Sequence, residues 1–301
     1  MFDLRYHVVS LAAVFLALVI GILLGVGVSE TGRVDKVERD SYEARISDLE
    51  GQLESARAAD VASAREQRAA EEIVDRAYPA LIDGRLDGKR VARMYIGPEG
   101  DGKISSGIDT LLADAGASTS SPYLRALKVP VDPDAIMGAL DGRAELARYA
   151  APDRFDELGS ALADELLGEG DTPLWDALSQ QLVLNEEGSG RRPPDAVIIG
   201  RTVEPQQGET AALLAGFYKR LASSGIPVVA VEASDTEPSG VPSYRRNGLS
   251  TVDNVDTKVG RLAAALVLGG AKPGSYGIKE TADRLLPREI KPVEATTTAG
   301  G

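Results

Sequence analysis

The longest apolar stretch covers residues 8–29, which include no charged side chain over 22 residues. At about 1.5 Å of helical rise per residue it would extend roughly 33 Å, and a bilayer core is about 30 Å thick. Arg5 precedes the stretch and Glu30 follows it. The pattern predicts one transmembrane helix in an N-terminal anchor over residues 1–30.

A cleaved signal peptide is the alternative interpretation of this stretch. Residues 25–27 form a small-residue sequence that resembles a cleavage site. The apolar region of a signal peptide needs only about 7–15 residues, whereas this run is longer. The length therefore favours an anchor that is not cleaved.

Small residues recur every four positions along this predicted helix, at Ala13, Ala17, Gly21 and Gly25. Small residues at that spacing let two helix backbones approach closely within a membrane. The stripe predicts a homo-oligomer seam. The alternative is a helix rich in alanine and glycine that contacts only lipid.

Residues 31–78 contain no proline and are rich in alanine, glutamate and arginine, a composition typical of a long helix. Apolar positions follow a three-four spacing, with polar residues between them, and Pro79 is predicted to end the helix. The pattern favours a coiled-coil stalk that extends the oligomer seam. The alternative is an amphipathic helix that packs on its own domain.

From residue 87 the pattern changes to short apolar runs that alternate with helical periodicity. Runs at residues 91–96, 196–200 and 228–231 predict buried strands. The last two runs and the helix between them form a βαβ unit, in which parallel strands are adjacent or nearly so. We therefore predict a Rossmann-like α/β domain with a parallel sheet over residues 87–288, followed by a disordered tail over residues 289–301.

Two loops of this domain invite a search for a ligand site. The loop at residues 97–102 reads GPEGDG, which lacks a phosphate-binding pattern, and its Glu99 and Asp101 would repel a phosphate. We interpret it as a βα turn. The polar loop at residues 233–247 follows a strand at the edge where open α/β sheets bind ligands. With Glu232 it offers Asp235, Glu237, Arg245 and Arg246, and a ligand site and a solvated loop explain it equally well.

Composition excludes several kinds of chemistry. The chain has no cysteine and one histidine, His7, which excludes disulfides, thiolate metal sites and a Ser-His-Asp triad within one chain. With 33 basic and 46 acidic residues the net charge is −13, which disfavours nucleic acid as a partner. We predict no enzymatic activity.

The charges beside the apolar run bear on its orientation in the membrane. Positive charge on its C-terminal side weakly favours a cytoplasmic C-terminal part.

The last quarter of the chain contains a distinctive set of positions: Ser250, Thr251, Val252, Asp253, Gly260, Arg261, Tyr276 and Gly277. Either Asp253 or Asp256 could cap the helix that follows. Alternatively, Asp253, Asn254 and Asp256 could supply oxygen ligands to a hard cation.

Together with the N-terminal sequence at residues 4–18 and the Gly21–Gly25 spacing, these positions resemble the actinobacterial copper transporter family typified by MctB. The resemblance implies an envelope protein of copper efflux or tolerance, with channel-like activity in the outer membrane and its C-terminal domain outside the cytoplasm. The resemblance and the charges disagree on the side of the membrane that the C-terminal domain occupies. We give the resemblance more weight than the weak charge signal.

The resemblance does not identify copper ligands. Copper(I) prefers sulfur and imidazole, and the chain offers only Met1, Met94, Met137 and His7, of which Met94 is predicted to lie in the core. We therefore expect no bound cofactor, and copper only as a transported ion. An anchored structural or partner-binding module without transport is the alternative function.

Overall fold

The computed structural model describes residues 4–27, 31–100, 102–117, 123–188 and 192–290. The chain divides into two compact units, residues 1–70 and residues 71–301. The first unit is helical, and the second contains a sheet with helices on both faces.

Helix α1, Leu4–Gly27, contains the apolar stretch. Its described large apolar side chains are exposed, from 44% at Val19 to 72% at Leu11. Within the part of the chain that the structure describes, no helix has both the length and the apolarity needed to cross a membrane. The predicted transmembrane helix over residues 8–29 is therefore not supported.

Helix α2, Thr31–Ile82, confirms the long helix but continues past Pro79, where the sequence predicted its end. The carbonyl of Pro79 accepts a hydrogen bond from Asp83 N at 3.1 Å, so the proline does not interrupt the following turn. Burial of Tyr78 and Ile82 in the core of the second unit stabilises this extension. The pairing of α2 in a coiled coil stays a prediction.

Seven strands form one sheet within the described residues, in the order β3-β2-β1-β4-β5-β6-β7. Neighbouring strands are parallel, except β2 and β3. The direction in which successive strands are added to the sheet reverses between β1 and β4, as in doubly wound Rossmann-like sheets. The strands are β1 Val91–Ile96, β2 Tyr123–Leu127, β3 Val183–Glu187, β4 Ala196–Arg201, β5 Val228–Val231, β6 Ser250–Val252 and β7 Ser275–Tyr276.

The direct parallel pairing of β4 with β5 confirms the predicted βαβ unit. Side chains alternate along β4, so that Val197 and Ile199 face one apolar core while Ala196 and Ile198 face the other. Burial on both faces is the reason the runs at residues 196–200 and 228–231 contain no polar position.

Helices cover the two cores unequally. The first core contains side chains of α4 to α8, and the second contains those of α3, α9 and the end of α2. The helices are α3 Lys103–Asp114, α4 Pro133–Leu140, α5 Phe155–Leu167, α6 Pro173–Leu182, α7 Gly208–Ala222, α8 Val241–Arg246 and α9 Lys258–Leu268, with short 3-10 turns at Ala147–Tyr149 and Pro152–Arg154.

Helices α5 and α7 approach each other through a reciprocal pair of glycines. A Cβ atom added to Gly216 would lie 1.8 Å from the carbonyl oxygen of Asp156, and one added to Gly159 would lie 1.9 Å from that of Leu213. Real Cβ atoms do not approach a carbonyl so closely. Any larger residue at either position must therefore separate the two helices.

We expect Gly216→Ala to lower the free energy of unfolding by about 1–3 kcal/mol, the usual effect of overpacking. Gly138→Ala is the control, since Gly138 lies in α4 with no neighbouring atom within 4 Å of an added Cβ. That change should be neutral or stabilise the protein by up to about 1 kcal/mol. Urea unfolding followed by the fluorescence of Trp175, which packs edge-on against Phe217 of α7, measures both. Equal stability of the two variants would contradict the close contact.

Candidate functional site

The crevice between β1 and β4, where doubly wound sheets commonly bind ligands, is filled by the protein itself. Gly97 adopts a φ of +103°, and a Cβ atom there would lie 2.6 Å from the side chain of Val203. Thr202 Oγ1 donates a hydrogen bond to the carbonyl of Pro98 at 2.8 Å. This arrangement agrees with a βα turn, although Asp101 lies outside the described residues.

Polar side chains gather instead where β5 and β6 end. Glu232 directly follows β5 and is 1% exposed. Its Oε1 accepts hydrogen bonds from Lys279 Nζ at 2.9 Å and from Ser239 Oγ at 2.7 Å, and its Oε2 accepts one from Gly240 N at 2.9 Å. A buried carboxylate is costly unless it is paired, and these three donors satisfy Glu232.

Asp253 follows β6 and is also 1% exposed. Its Oδ1 accepts a hydrogen bond from Ile278 N at 2.8 Å, and its Oδ2 accepts one from Lys279 N at 3.1 Å. A Cβ atom on Gly277 would lie 1.9 Å from Asp253 Oδ1, and the φ of Gly277 is +138°. Asp253 therefore holds the turn that carries Lys279, and only glycine leaves room for its carboxylate.

The hydroxyl groups of the same segment join β6 to β7. Thr251 Oγ1 and Ser275 Oγ share a hydrogen bond of 2.7 Å, and Ser250 Oγ accepts one from Gly274 N at 3.4 Å. Val252 is fully buried in the core, and Tyr276 is 5% exposed. These positions therefore build the edge of the sheet.

Gly260 and Arg261 attach α9 to this edge and to the end of α2. A Cβ atom on Gly260 would lie 1.9 Å from the carbonyl oxygen of Asn254. Arg261 Nε donates a hydrogen bond to Tyr78 Oη at 3.2 Å, and its Nη1 donates one to the carbonyl of Asp256 at 3.1 Å. Burial, with a hydrogen bond to Asp114, raises the pKa of Tyr78 to about 12. This tyrosine is therefore a neutral donor at physiological pH.

The family model described as "Copper transport outer membrane protein, MctB" matches residues 1–287 of the chain. The chain belongs to the MctB family. Two relatives named "Copper transporter MctB", from Mycobacterium bovis and Mycobacterium tuberculosis, are each 24% identical over 311 residues. Each alignment covers 92% of this chain and 96% of the relative. The resemblance inferred from the motif is thereby confirmed.

In this MctB-family chain, neither Asp253 nor Asp256 caps α9, which corrects one prediction. The side chain of Thr257 caps it by accepting a hydrogen bond from Gly260 N at 3.0 Å. Asp256 accepts hydrogen bonds from Ser234 N at 2.8 Å and Ser234 Oγ at 2.7 Å.

The hard-cation site at Asp253, Asn254 and Asp256 is also not supported. The two carboxylates face different elements, since Asp253 binds the turn after β7 and Asp256 binds Ser234 after β5. Asn254 Nδ2 donates to Thr257 Oγ1 at 3.1 Å. No group of three or more histidine, cysteine or acidic side chains suited to a metal ion occurs within the described residues.

The polar side chains of the loop at residues 233–247 do not come together in one site. Asp235 pairs with Lys103 on the surface, which lowers the pKa of Asp235 and raises that of Lys103. Arg245 donates hydrogen bonds to the carbonyl of Thr281 at 2.6 Å and to Asp283 at 3.1 Å. Glu237 is exposed.

Of the residues that could bind copper, the structure describes the side chains of Met94 and Met137. Met94 lies in β1 and is fully buried, as predicted. Met137 is half-buried against the same core. Met1 and the side chain of His7 lie outside the described residues.

We expect Asp253→Asn to lower the free energy of unfolding by about 1–3 kcal/mol. The NH₂ group of asparagine would face one of the two backbone N–H groups that now donate to the carboxylate, so one of these hydrogen bonds would be lost. Asp235→Asn makes the same chemical change in an exposed ion pair near this edge and should leave the unfolding midpoint unchanged. Urea titrations of both variants measure the difference. A midpoint for Asp253→Asn equal to that of the control would contradict the assigned role of Asp253.

Proposed function

We propose that this chain acts in copper homeostasis of the cell envelope as a membrane-associated protein without enzymatic activity. The family match over residues 1–287 carries the proposal, because it includes the first unit and most of the second. The similar mycobacterial proteins are named copper transporters. In this proposal the α/β unit lies outside the cytoplasm, as the resemblance implies.

The donor chemistry of the chain argues against a role in storing copper. Copper(I) prefers thiolate, thioether and imidazole ligands. The chain has no cysteine, three methionines and one histidine. Met94 is enclosed in the core, so its sulfur contributes to packing.

Attachment through α1 is the second part of the proposal. The apolar side chains of α1 are exposed in the single chain. Exposure of apolar surface to water costs a free energy of about 25 cal/mol for each Å². Lipid and a second copy of the helix would remove that cost together. Gly21 and Gly25 leave open space for a partner, since an added Cβ meets no atom within 4 Å at either position.

A structural or partner-binding module remains the second candidate function, and α2 favours it. Three apolar side chains on one face of this helix, Ile46, Leu49 and Leu53, are 51–62% exposed. A second copy in parallel register would cover them, as the predicted coiled coil requires. Such a module would affect assembly of the envelope without changing the copper content of the cell.

Deletion of the gene should raise intracellular copper and sensitivity to copper, and the wild-type chain should restore both. The double variant Met94→Leu and Met137→Leu should restore them equally, because neither sulfur is proposed as a ligand. Copper content by mass spectrometry and growth over a copper series, with a zinc series as control, measure this. Unchanged copper content and growth in the deletion strain would contradict the copper role and favour the structural module.

Gly21→Leu should weaken self-association of α1, because a bulky side chain would separate backbones that the seam brings together. Leu23→Ala is the control on another face of the helix. Energy transfer between labelled copies of segment 1–33 in lipid vesicles measures association without a contribution from α2. Equal association of the wild type and both variants would contradict the seam at Ala13, Ala17, Gly21 and Gly25.

A further inference from the structure

The middle of α2 carries an apolar seam that no other part of the described chain covers. Every side chain of this helix over residues 39–63 is exposed. Four large apolar side chains in this segment alternate at spacings of four and three residues, and each is more than half exposed: Tyr42, Ile46, Leu49 and Leu53. A helix of a folded protein obtains most of its stability from packing of such a face. The seam therefore requires a partner.

The same heptad spacing continues toward the C-terminal end of α2, but the chemistry of the seam changes. Three successive seam positions are polar, at Asp60, Ser63 and Gln67. In a pair of identical helices in register, the same residue from each copy meets at every seam position. Two Asp60 carboxylates would therefore face each other, and like charges in contact oppose association. The positions that flank Asp60 are Ala59 and Ala64, which provide no compensating cation.

Beyond the polar positions, the seam of α2 is used by the chain itself. Val74 and Ala77 are half-buried, and Tyr78 and Ile82 belong to a core of the second unit. Tyr78 Oη also donates a hydrogen bond to Asp114 at 2.7 Å. The apolar positions at this end of the helix are therefore engaged within the second unit.

The charges beside the seam select the direction and the limits of a helix pair. In a parallel pair, a side chain at one flank of the seam faces the residue five positions further along the partner helix. Arg45 of one copy would thus meet Glu50 of the second copy, and the twofold symmetry of the pair repeats this contact. Like charges would meet at the corresponding positions on either side: Glu38 with Glu43, and Glu66 with Glu71. Charge complementarity is therefore confined to the segment that carries the exposed apolar side chains.

We propose that α2 pairs with a second copy of this chain, in parallel and in register, over residues 42–56, and that the pair ends at Asp60. The inference rests on the proposed attachment through α1, because copies attached to one membrane present α2 in the same direction and at a raised local concentration. A seam this short benefits from that attachment, since free association must offset lost translational and rotational freedom. These limits are narrower than the stalk predicted over residues 31–78.

Cysteine cross-linking of the full-length chain in phosphatidylcholine vesicles tests the pair, because the natural chain has no cysteine. The single variants Ile46→Cys and Ala56→Cys place a thiol on the seam, so oxidation with diamide should yield a disulfide-linked dimer on a non-reducing gel. Ile46→Cys also tests the direction, since residue 46 would face residue 53 in an antiparallel pair over the same segment. Ala58→Cys is the matched control on the opposite face of the helix and should remain monomeric.

A thiol at Gln67→Cys tests where the pair ends. This position lies on the same seam, roughly 16 Å along the helix from residue 56, and should cross-link weakly. Addition of Asp60→Leu should raise that cross-linking about twofold to fivefold, the range for removal of one unfavourable charge pair. Asp48→Leu is the control on the outer face, where Asp48 accepts a hydrogen bond from Gln52 at 2.9 Å, and should leave the cross-linking unchanged.

Two patterns of cross-linking would overturn the proposal. One is equal cross-linking of Ala56→Cys and Ala58→Cys, or none at either, because the seam would then have no preferred contact. The other is cross-linking of Gln67→Cys equal to that of Ala56→Cys, which would extend the pair past Asp60. Sedimentation of the vesicles reports attachment separately. A chain that stays in the supernatant contradicts the proposed attachment, whereas the cross-linking pattern decides the pairing in either fraction.

Discussion

Glu232 and Asp253 lie at the carboxyl ends of neighbouring parallel strands, and both are buried. Lys279 is held by both of them, since Asp253 accepts from its backbone N–H and Glu232 from its ammonium group. Removal of one partner from such a buried pair typically costs about 3–5 kcal/mol, because the other charge is left uncompensated. This constraint fixes the segment after β7 against the carboxyl ends of β5 and β6, and the arrangement of that part of the edge follows from it.

The same edge of the sheet is occupied by the protein's own side chains. The donors near the ends of β5 and β6 are used to fasten loops, and Thr202 and Val203 fill the crevice between β1 and β4. A Rossmann-like sheet thus provides the scaffold here, while its usual ligand crevice is closed.

The sequence predicts those features that depend on local pattern. The continuous apolar runs of β4 and β5 require burial on both faces, and their parallel pairing follows. The pairing of Glu232 with Lys279 could not be predicted, because 47 residues separate them and no periodicity relates them. The cap on α9 was misassigned for a related reason. Four polar residues lie within positions 253–257, and the sequence does not show the tertiary contacts that engage Asp253 and Asp256 elsewhere and leave Thr257 as the cap.

Membership of the MctB family and the scarcity of soft ligands lead to one claim, that the chain serves copper homeostasis without a tight copper site of its own. Competition between the purified full-length chain and a chromogenic Cu(I) chelator tests this claim most directly. We expect the chelator to retain its copper, with no stoichiometric transfer to the protein. Transfer of one equivalent of Cu(I) to the wild-type chain, lost in the double variant Met94→Leu and Met137→Leu, would contradict it.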